Sequence, residues 1–187
     1  TWLVVVTGGL STGIGFAMKD ILENIYYGIS LMTGRIKIGD YIVCDGIRGR
    51  VSSISYTSTM LEALDGSIIA FQNSQLFTKN YKNMTKNHGY ELDILEVGVA
   101  YGSNINEVKK MLIDAITALD ITYKKKKVMV LLKSFDDSCI TLKVLVWVNV
   151  FTQGLDDSII MECIYDTLNK NGIEIPFPQR EITIKNQ

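Results

Sequence analysis

The chain has one histidine, three cysteines and no charged residue ahead of Lys19 in its 187 residues. Each scarcity closes a class of explanation. A single histidine, His88, excludes a His-rich metal site and leaves any Ser-His-Asp triad dependent on one loop residue. Cys44, Cys139 and Cys163 are odd in number, far apart and without a CxxC pair. They imply neither a disulfide framework nor a zinc site, and read as buried thiols of a reducing compartment. With 19 basic residues against 20 acidic ones the net charge is −1, so no basic field argues for nucleic acid as a partner. No basic segment precedes the apolar start and no small-residue cleavage site follows it, so a signal peptide is not expected. An apolar run beginning at the first residue suggests a piece of a longer protein.

What is present is most concentrated at that start. Trp2 to Met18 is a run of apolar, glycine and small hydroxyl residues, followed at once by Lys19, Asp20 and Glu23. Glycine stands at 8, 9, 13 and 15, although each costs about 1 kcal/mol against alanine inside a helix. That density suits helices packed backbone to backbone, above all in a membrane. The run falls slightly short of the roughly 20 apolar residues of a full span. It is expected to be a truncated or pore-lining transmembrane helix attached to a soluble remainder.

The same residues support a rival reading. Val4-Val5-Val6, Thr7-Gly8 and Gly13-Ile14-Gly15 imitate the strand, glycine turn and helix start that cradle a pyrophosphate. They look most like the turn of short-chain dehydrogenases, and Tyr123 and Lys127 have that family's four-residue spacing. The glycine spacing is one residue too long, however, and short strands and turns follow where βαβ units should. Lys124 to Lys127 is explained as a solvated basic turn. A nucleotide-dependent oxidoreductase therefore stands as one alternative, and a soluble oligomeric scaffold as another.

The remainder divides by texture. Ile21, Leu22, Ile25, Ile29 and Met32 continue a helix to Gly34, with Gly28 as a kink or close-packing point. From Ile36 to Thr85 short strands alternate with turns, including a β-hairpin with a type I′ turn expected at Asp65-Gly66. A small β-barrel or sandwich follows from four or five such strands. From Tyr90 the order reads strand, helix capped by Asn104 with Glu107, two strands, helix capped by Asp156-Asp157, and a last strand at Ile173 to Ile175. That β-α-β-β-α-β order is the ferredoxin-like arrangement. Arg180 to Ile184 alternates like one more strand with no partner in the chain, which points to assembly with other subunits. Asp136-Asp137 and Asp156-Asp157 suit loop and helix-start roles better than a metal site, and no catalytic constellation is found. Neither cofactor nor metal is expected.

Five segments in this order resemble the small-conductance mechanosensitive channel (MscS-like) family. They are Gly39-Asp40-Tyr41-Ile42; Gly46-Ile47-Arg48-Gly49-Arg50-Val51; Ser58-Thr59-Met60 with Asp65-Gly66-Ser67-Ile68-Ile69; Val97-Gly98-Val99-Ala100-Tyr101; and Pro176-Phe177-Pro178-Gln179. The resemblance implies an α+β multidomain chain. Residues 1–35 would be a transmembrane pore helix and its interfacial continuation, and 36–86 a small Sm/SH3-like β-barrel domain. Residues 87–178 would form a ferredoxin-like domain, and 179–187 a strand of an intersubunit barrel. It further implies a homoheptamer in a bacterial inner membrane, contacting lipid, with most of this chain cytoplasmic and with ions and small osmolytes as permeants. Carried over by position, Thr12 and Phe16 take the place of the family's two leucine constriction rings. Gly8, Gly13, Gly15 and Lys19 fall on the packing or lining surface of the pore helix. Asp20 stands where the family's helix bends at glycine, so the bend is expected elsewhere, and Gly28 lies where the helix meets the β-domain. Arg180, Ile182 and Ile184 would supply the oligomerisation strand.

Overall fold

The structure is a computed structural model that describes residues 2–152, 154–180 and 182. The chain forms two compact units, Thr1–His88 and Gly89–Gln187.

In the first unit, α1 (Trp2–Ser30) runs unbroken through Asp20 and passes into a π-turn, Leu31–Arg35. Gly34 adopts φ 113°, a left-handed conformation that ordinary side chains avoid, and the helix stops there. Five short strands follow: β1 (Tyr41–Cys44), β2 (Ile47–Ile54), β3 (Ser58–Ala63), β4 (Ile68–Gln72) and β5 (Tyr81–Asn83), with α2 (Asn73–Thr78) between the last two. They make one antiparallel sheet in the order β4-β3-β2-β1-β5. Leu31, Ile36, Ile42, Val51, Leu61 and Leu76 fill its core at no more than 2% exposure, so the end of the helix and the sheet share one apolar cluster.

Two local expectations change. Residues 36–40 are not part of the first strand; the Asp40 carboxylate accepts from Lys37 N (3.0 Å) and Asn83 Nδ2 (2.7 Å), holding the approach in an irregular form. The type I′ turn lies at the other Asp-Gly pair. Asp45 and Gly46 both have positive φ (52° and 77°) and join β1 to β2 with Cys44 paired to Ile47. At Asp65-Gly66 only the glycine is left-handed. Gly66 N donates to Ala63 O (3.0 Å) and Ala63 N to Ser67 O (2.9 Å), which makes a three-residue loop with a left-handed glycine at its end.

The second unit runs β6 (Tyr90–Val99), α3 (Ile105–Ala118), β7 (Met129–Phe135), β8 (Ile140–Asn149) and α4 (Leu155–Lys170). Its sheet is antiparallel in the order β6-β8-β7. Alternation decides the core: Leu142, Val144, Val146 and Val148 of β8 are buried, as are Val108, Leu112 and Ile116 of α3 and Ile160, Ile164 and Leu168 of α4.

The ferredoxin-like order is therefore present up to its second helix, but the expected last strand is not. Residues 173–180 take no strand form and touch β6's end through one backbone hydrogen bond, Ala100 N to Glu174 O (3.0 Å). Both helix caps also differ from expectation. Asn104 Nδ2 donates to Glu107 Oε1 (2.8 Å), side chain to side chain, without reaching a backbone N–H. Gly154, at φ 86°, precedes α4, while Asp156 and Asp157 sit inside its first turn. Of the expected tail strand, Arg180 and Ile182 are irregular, with Ile182 exposed; Glu181, Thr183 and Ile184 lie outside the described residues.

Candidate functional site

Two halves of α1 have opposite surroundings. From Trp2 to Leu22 every described residue is exposed, including Trp2 (70%) and Phe16 (74%). With its continuation to Arg35 it is the one stretch among the described residues long and apolar enough to cross a membrane. Helical spacing puts Gly8, Thr12, Gly15, Phe16 and Lys19 on one face, with Gly9 and Gly13 on the adjoining stripe. A methyl group added at Gly8, Gly9, Gly13 or Gly15 would meet nothing within 4 Å inside this subunit. The glycines thus leave a shallow, open track along an apolar rod. Both threonine hydroxyls on that rod are satisfied internally: Thr7 Oγ1 donates to Leu3 O (2.7 Å) and Thr12 Oγ1 to Gly8 O (2.8 Å). Such back-bonding suits a helix in surroundings without water.

The arrangement overturns the dinucleotide alternative. A pyrophosphate cradle needs a strand ending in a turn at a helix N-terminus, whereas Val4 to Gly15 lies wholly inside α1, with the amides of Gly8 to Gly15 committed to helical bonds. Tyr123 stacks on Tyr90 (centroids 4.1 Å apart) in the second unit.

The second half of α1 is clamped to the β-domain. Asn24 and Gly28 are its buried residues. Asn24 Nδ2 donates to Asp20 O (2.8 Å), and its Oδ1 accepts from Ser74 N (2.9 Å) at the start of α2. Asn73, fully buried, donates through Nδ2 to Ser55 O and Tyr56 O (2.9 Å each) and, more weakly, toward Asn24 O (3.5 Å). Its Oδ1 accepts from Thr59 Oγ1 (2.8 Å). Gly28 permits this approach: a Cβ there would stand 2.3 Å from Tyr56 O and 2.5 Å from Asn73 Nδ2. One turn on, Phe77 of α2 lies between the Tyr27 ring (centroids 4.5 Å) and the Arg35 guanidinium (4.2 Å).

The structure therefore gathers Gly8, Thr12, Gly15, Phe16 and Lys19 on one exposed helix face. It places Asp20 just before the clamp and Gly28 within it. Asn24, Thr59 and Asn73 were not singled out from the sequence as one site. The available signal was an asparagine breaking the apolar face of the helix after Asp20, and a second one at a strand-to-helix junction. Among the described residues no group of His, Cys, Asp or Glu is placed to hold a metal ion.

Residues 20–86 match the family model for the mechanosensitive ion channel β-domain, and residues 93–175 that for the C-terminal part of the mechanosensitive ion channel MscS. The small-conductance mechanosensitive channel of Helicobacter pylori is 30% identical over 190 residues, covering all of this chain and 69% of that protein. An MscS family protein of Archaeoglobus fulgidus is 29% identical over 187 residues, covering 98% of this chain and 65% of the relative. The crystal structure of H. pylori MscS in its closed state superposes with TM-score 0.85 at 30% identity, over all of this chain and 74% of that one. The chain thus spans about two thirds of the length of the curated relatives it matches. The family is one of membrane channels and not an enzyme class, and α1 is the candidate membrane helix. With matches running from its first helix through both units, this chain belongs to the MscS family of mechanosensitive ion channels.

Proposed function

We propose that this chain is the pore helix and cytoplasmic part of a tension-gated channel subunit that releases ions and small osmolytes during hypo-osmotic shock. The observation that carries the proposal is the division of α1. Its first half is a bare apolar rod with a glycine track, and its second half is bonded to the β-domain through Asn24, Gly28 and Asn73. A rod of that kind needs like partners and lipid around it, and the clamp gives its end a fixed base. Copies of the subunit form a homoheptamer in the bacterial inner membrane, with the β-domain and the α/β domain on the cytoplasmic side. In this reading 1–35 is the pore helix with its continuation, 36–86 the β-domain, 87–178 the α/β domain and 179–187 the oligomerisation strand.

Within the assembly Thr12 and Phe16 form the constriction. Gly8, Gly13, Gly15 and Lys19 pack or line the helices, Asp20 and Gly28 mark the transition to the anchored half, and Arg180, Ile182 and Ile184 join neighbours. A ring of phenylalanines excludes water from a narrow pore, because hydrophobic constrictions gate by dewetting. Tension favours whichever state occupies more membrane area, so sliding of the glycine-packed helices outward opens the constriction.

Phe16→Ser in the full-length protein tests this. The constriction becomes polar and wider, so patches should leak at rest or open at lower tension, and cells should grow poorly. A mutant that assembles normally and gates at the wild-type threshold would remove Phe16 from the gate. A loss of expression and assembly instead would mark Phe16 as a packing residue, since burying and then deleting such a side chain costs about 3–5 kcal/mol.

A further inference from the structure

β6 carries carboxylates where the fold calls for apolar side chains. Its register with β8 pairs Glu91 with Val148, Asp93 with Val146, Leu95 with Val144 and Val97 with Leu142. The β8 partners are all buried, so Glu91 and Asp93 stand on the side of the sheet that carries the core, in line with Leu95 and Val97. The first turn of α4 meets them with two more acids. The Asp157 side chain comes within hydrogen-bonding reach of Asp93. Asp156 is 1% exposed; its Oδ2 accepts from Thr152 Oγ1 (2.5 Å), while its Oδ1 is buried without a partner.

We propose that the contact between β6 and the first turn of α4 is a proton-operated latch. With one proton held between Asp93 and Asp157 the elements are fastened. Its loss sets two carboxylates against each other on the inner side of the sheet.

The electrostatics run the same way. Burial comes first, then the hydrogen bond and charge of Asp157 and finally the charge of Glu91, and together they push the Asp93 carboxyl up to about 6; the Ile94 N–H opposes them. Burial also raises Asp156, with Asp157 and Glu91 adding to it and the Thr152 hydroxyl opposing. The groups acting on these two carboxyls come from β6 (Glu91 and the Ile94 N–H), from α4 and from Thr152; no group of α3, β7 or β8 is among them. A carboxyl whose folded pKa is raised contributes stability that is present at low pH and lost as pH rises through the folded value. The latch is therefore closed in acid and loosened toward neutrality.

Hydrogen exchange on the full chain in detergent with EDTA tests this, read at the amides of 93–95 and 159–163 and corrected for the intrinsic pH dependence of exchange. From about pH 5 to about pH 7 the opening equilibrium should rise about tenfold, as expected for a carboxyl held near 6 when closed and near its ordinary value when open. Amides of β2 and β3 should not follow it. Asp93→Asn keeps the hydrogen bond without the titration and should flatten the profile, whereas Asp157→Asn removes the facing charge but not the burial and should lessen the slope without abolishing it. A wild-type profile without slope, or an unchanged slope in either variant that folds, overturns the latch. Restoration of protection at pH 7 by added magnesium or calcium also overturns it, by making the cluster a cation site.

Discussion

Gly28→Ala adds one methyl group where the structure has no room. The new carbon would lie 2.3 Å from Tyr56 O, 2.5 Å from Asn73 Nδ2 and 2.9 Å from Tyr56 C. Two of these three atoms are backbone, and the third belongs to an amide with two good hydrogen bonds to Ser55 O and Tyr56 O. No flexible chain end is available to move aside. Alanine recovers about 1 kcal/mol of helix propensity. Against that stand overpacking of about 1–3 kcal/mol and a buried amide deprived of partners, at about 1–3 kcal/mol. The balance is a local loss of about 1–5 kcal/mol, concentrated where α1 meets α2. The readout is hydrogen exchange at Asn73 N, which donates to Thr57 O (3.0 Å), and Ser74 N, which donates to Asn24 Oδ1 (2.9 Å). Exchange there should quicken about fivefold or more, at about 1.4 kcal/mol per decade, while β6 and β8 amides stay unchanged. Asn73→Ala should do similar damage, and the double variant should cost less than the sum, because both disrupt one network. Wild-type exchange at Ser74 in Gly28→Ala would refute the reasoning, since it would mean that the helix can stand off from Tyr56 at no cost.

Other outcomes follow from the same surfaces. Gly13→Leu and Gly15→Leu meet open space within the subunit, so subunit folding should survive. Their effect should appear as altered tension gating in patches, at about 1–3 kcal/mol per overpacked intersubunit contact; normal gating in both would show that these glycines do not pack at a moving interface. Deleting the residues after Pro178 should lower the native mass of the assembly and leave exchange protection in both units intact; an unchanged mass would count against the C-terminal barrel. Phe77→Ala removes the ring between Tyr27 and Arg35 and should raise exchange in residues 31–36 about tenfold or more, whereas Phe77→Tyr, which keeps a ring, should not.

Legibility in the sequence followed the range of the interaction. The β8 strand was readable because Ile140 to Val150 alternates under the pressure of one buried face. The stop at Gly34 was readable because a left-handed residue is a local demand. The two Asp-Gly pairs look alike in sequence, yet they form different turns, because loop length depends on how β3 and β4 align and not on the dipeptide. The last strand of the α/β unit does not form, although its composition suits one. Ile173 to Ile175 has strand-like residues but only Glu174 O accepts a backbone hydrogen bond, from Ala100 N just past β6, and pairing is a property of two segments. The clamp was hidden for the same reason: Asn24 and Asn73 are joined across 49 positions, and no periodicity records that. In β6 the apolar residues change parity between Leu92/Ile94 and Val97/Val99. Only the register shows that Leu92 and Ile94 face outward and that Asp93 faces the core.

In the proposed constriction, the Thr12 hydroxyl would have a consequence for a permeating solute. Its hydrogen is committed to Gly8 O, so the group can turn only its oxygen lone pairs outward. A threonine is ordinarily both donor and acceptor; here it is an acceptor alone. Around a ring of identical helices the polar lining would be of one electrical sense without carrying a formal charge. It would resemble a band of carbonyls more than a band of alcohols, and it would be erased by valine, which has the same shape.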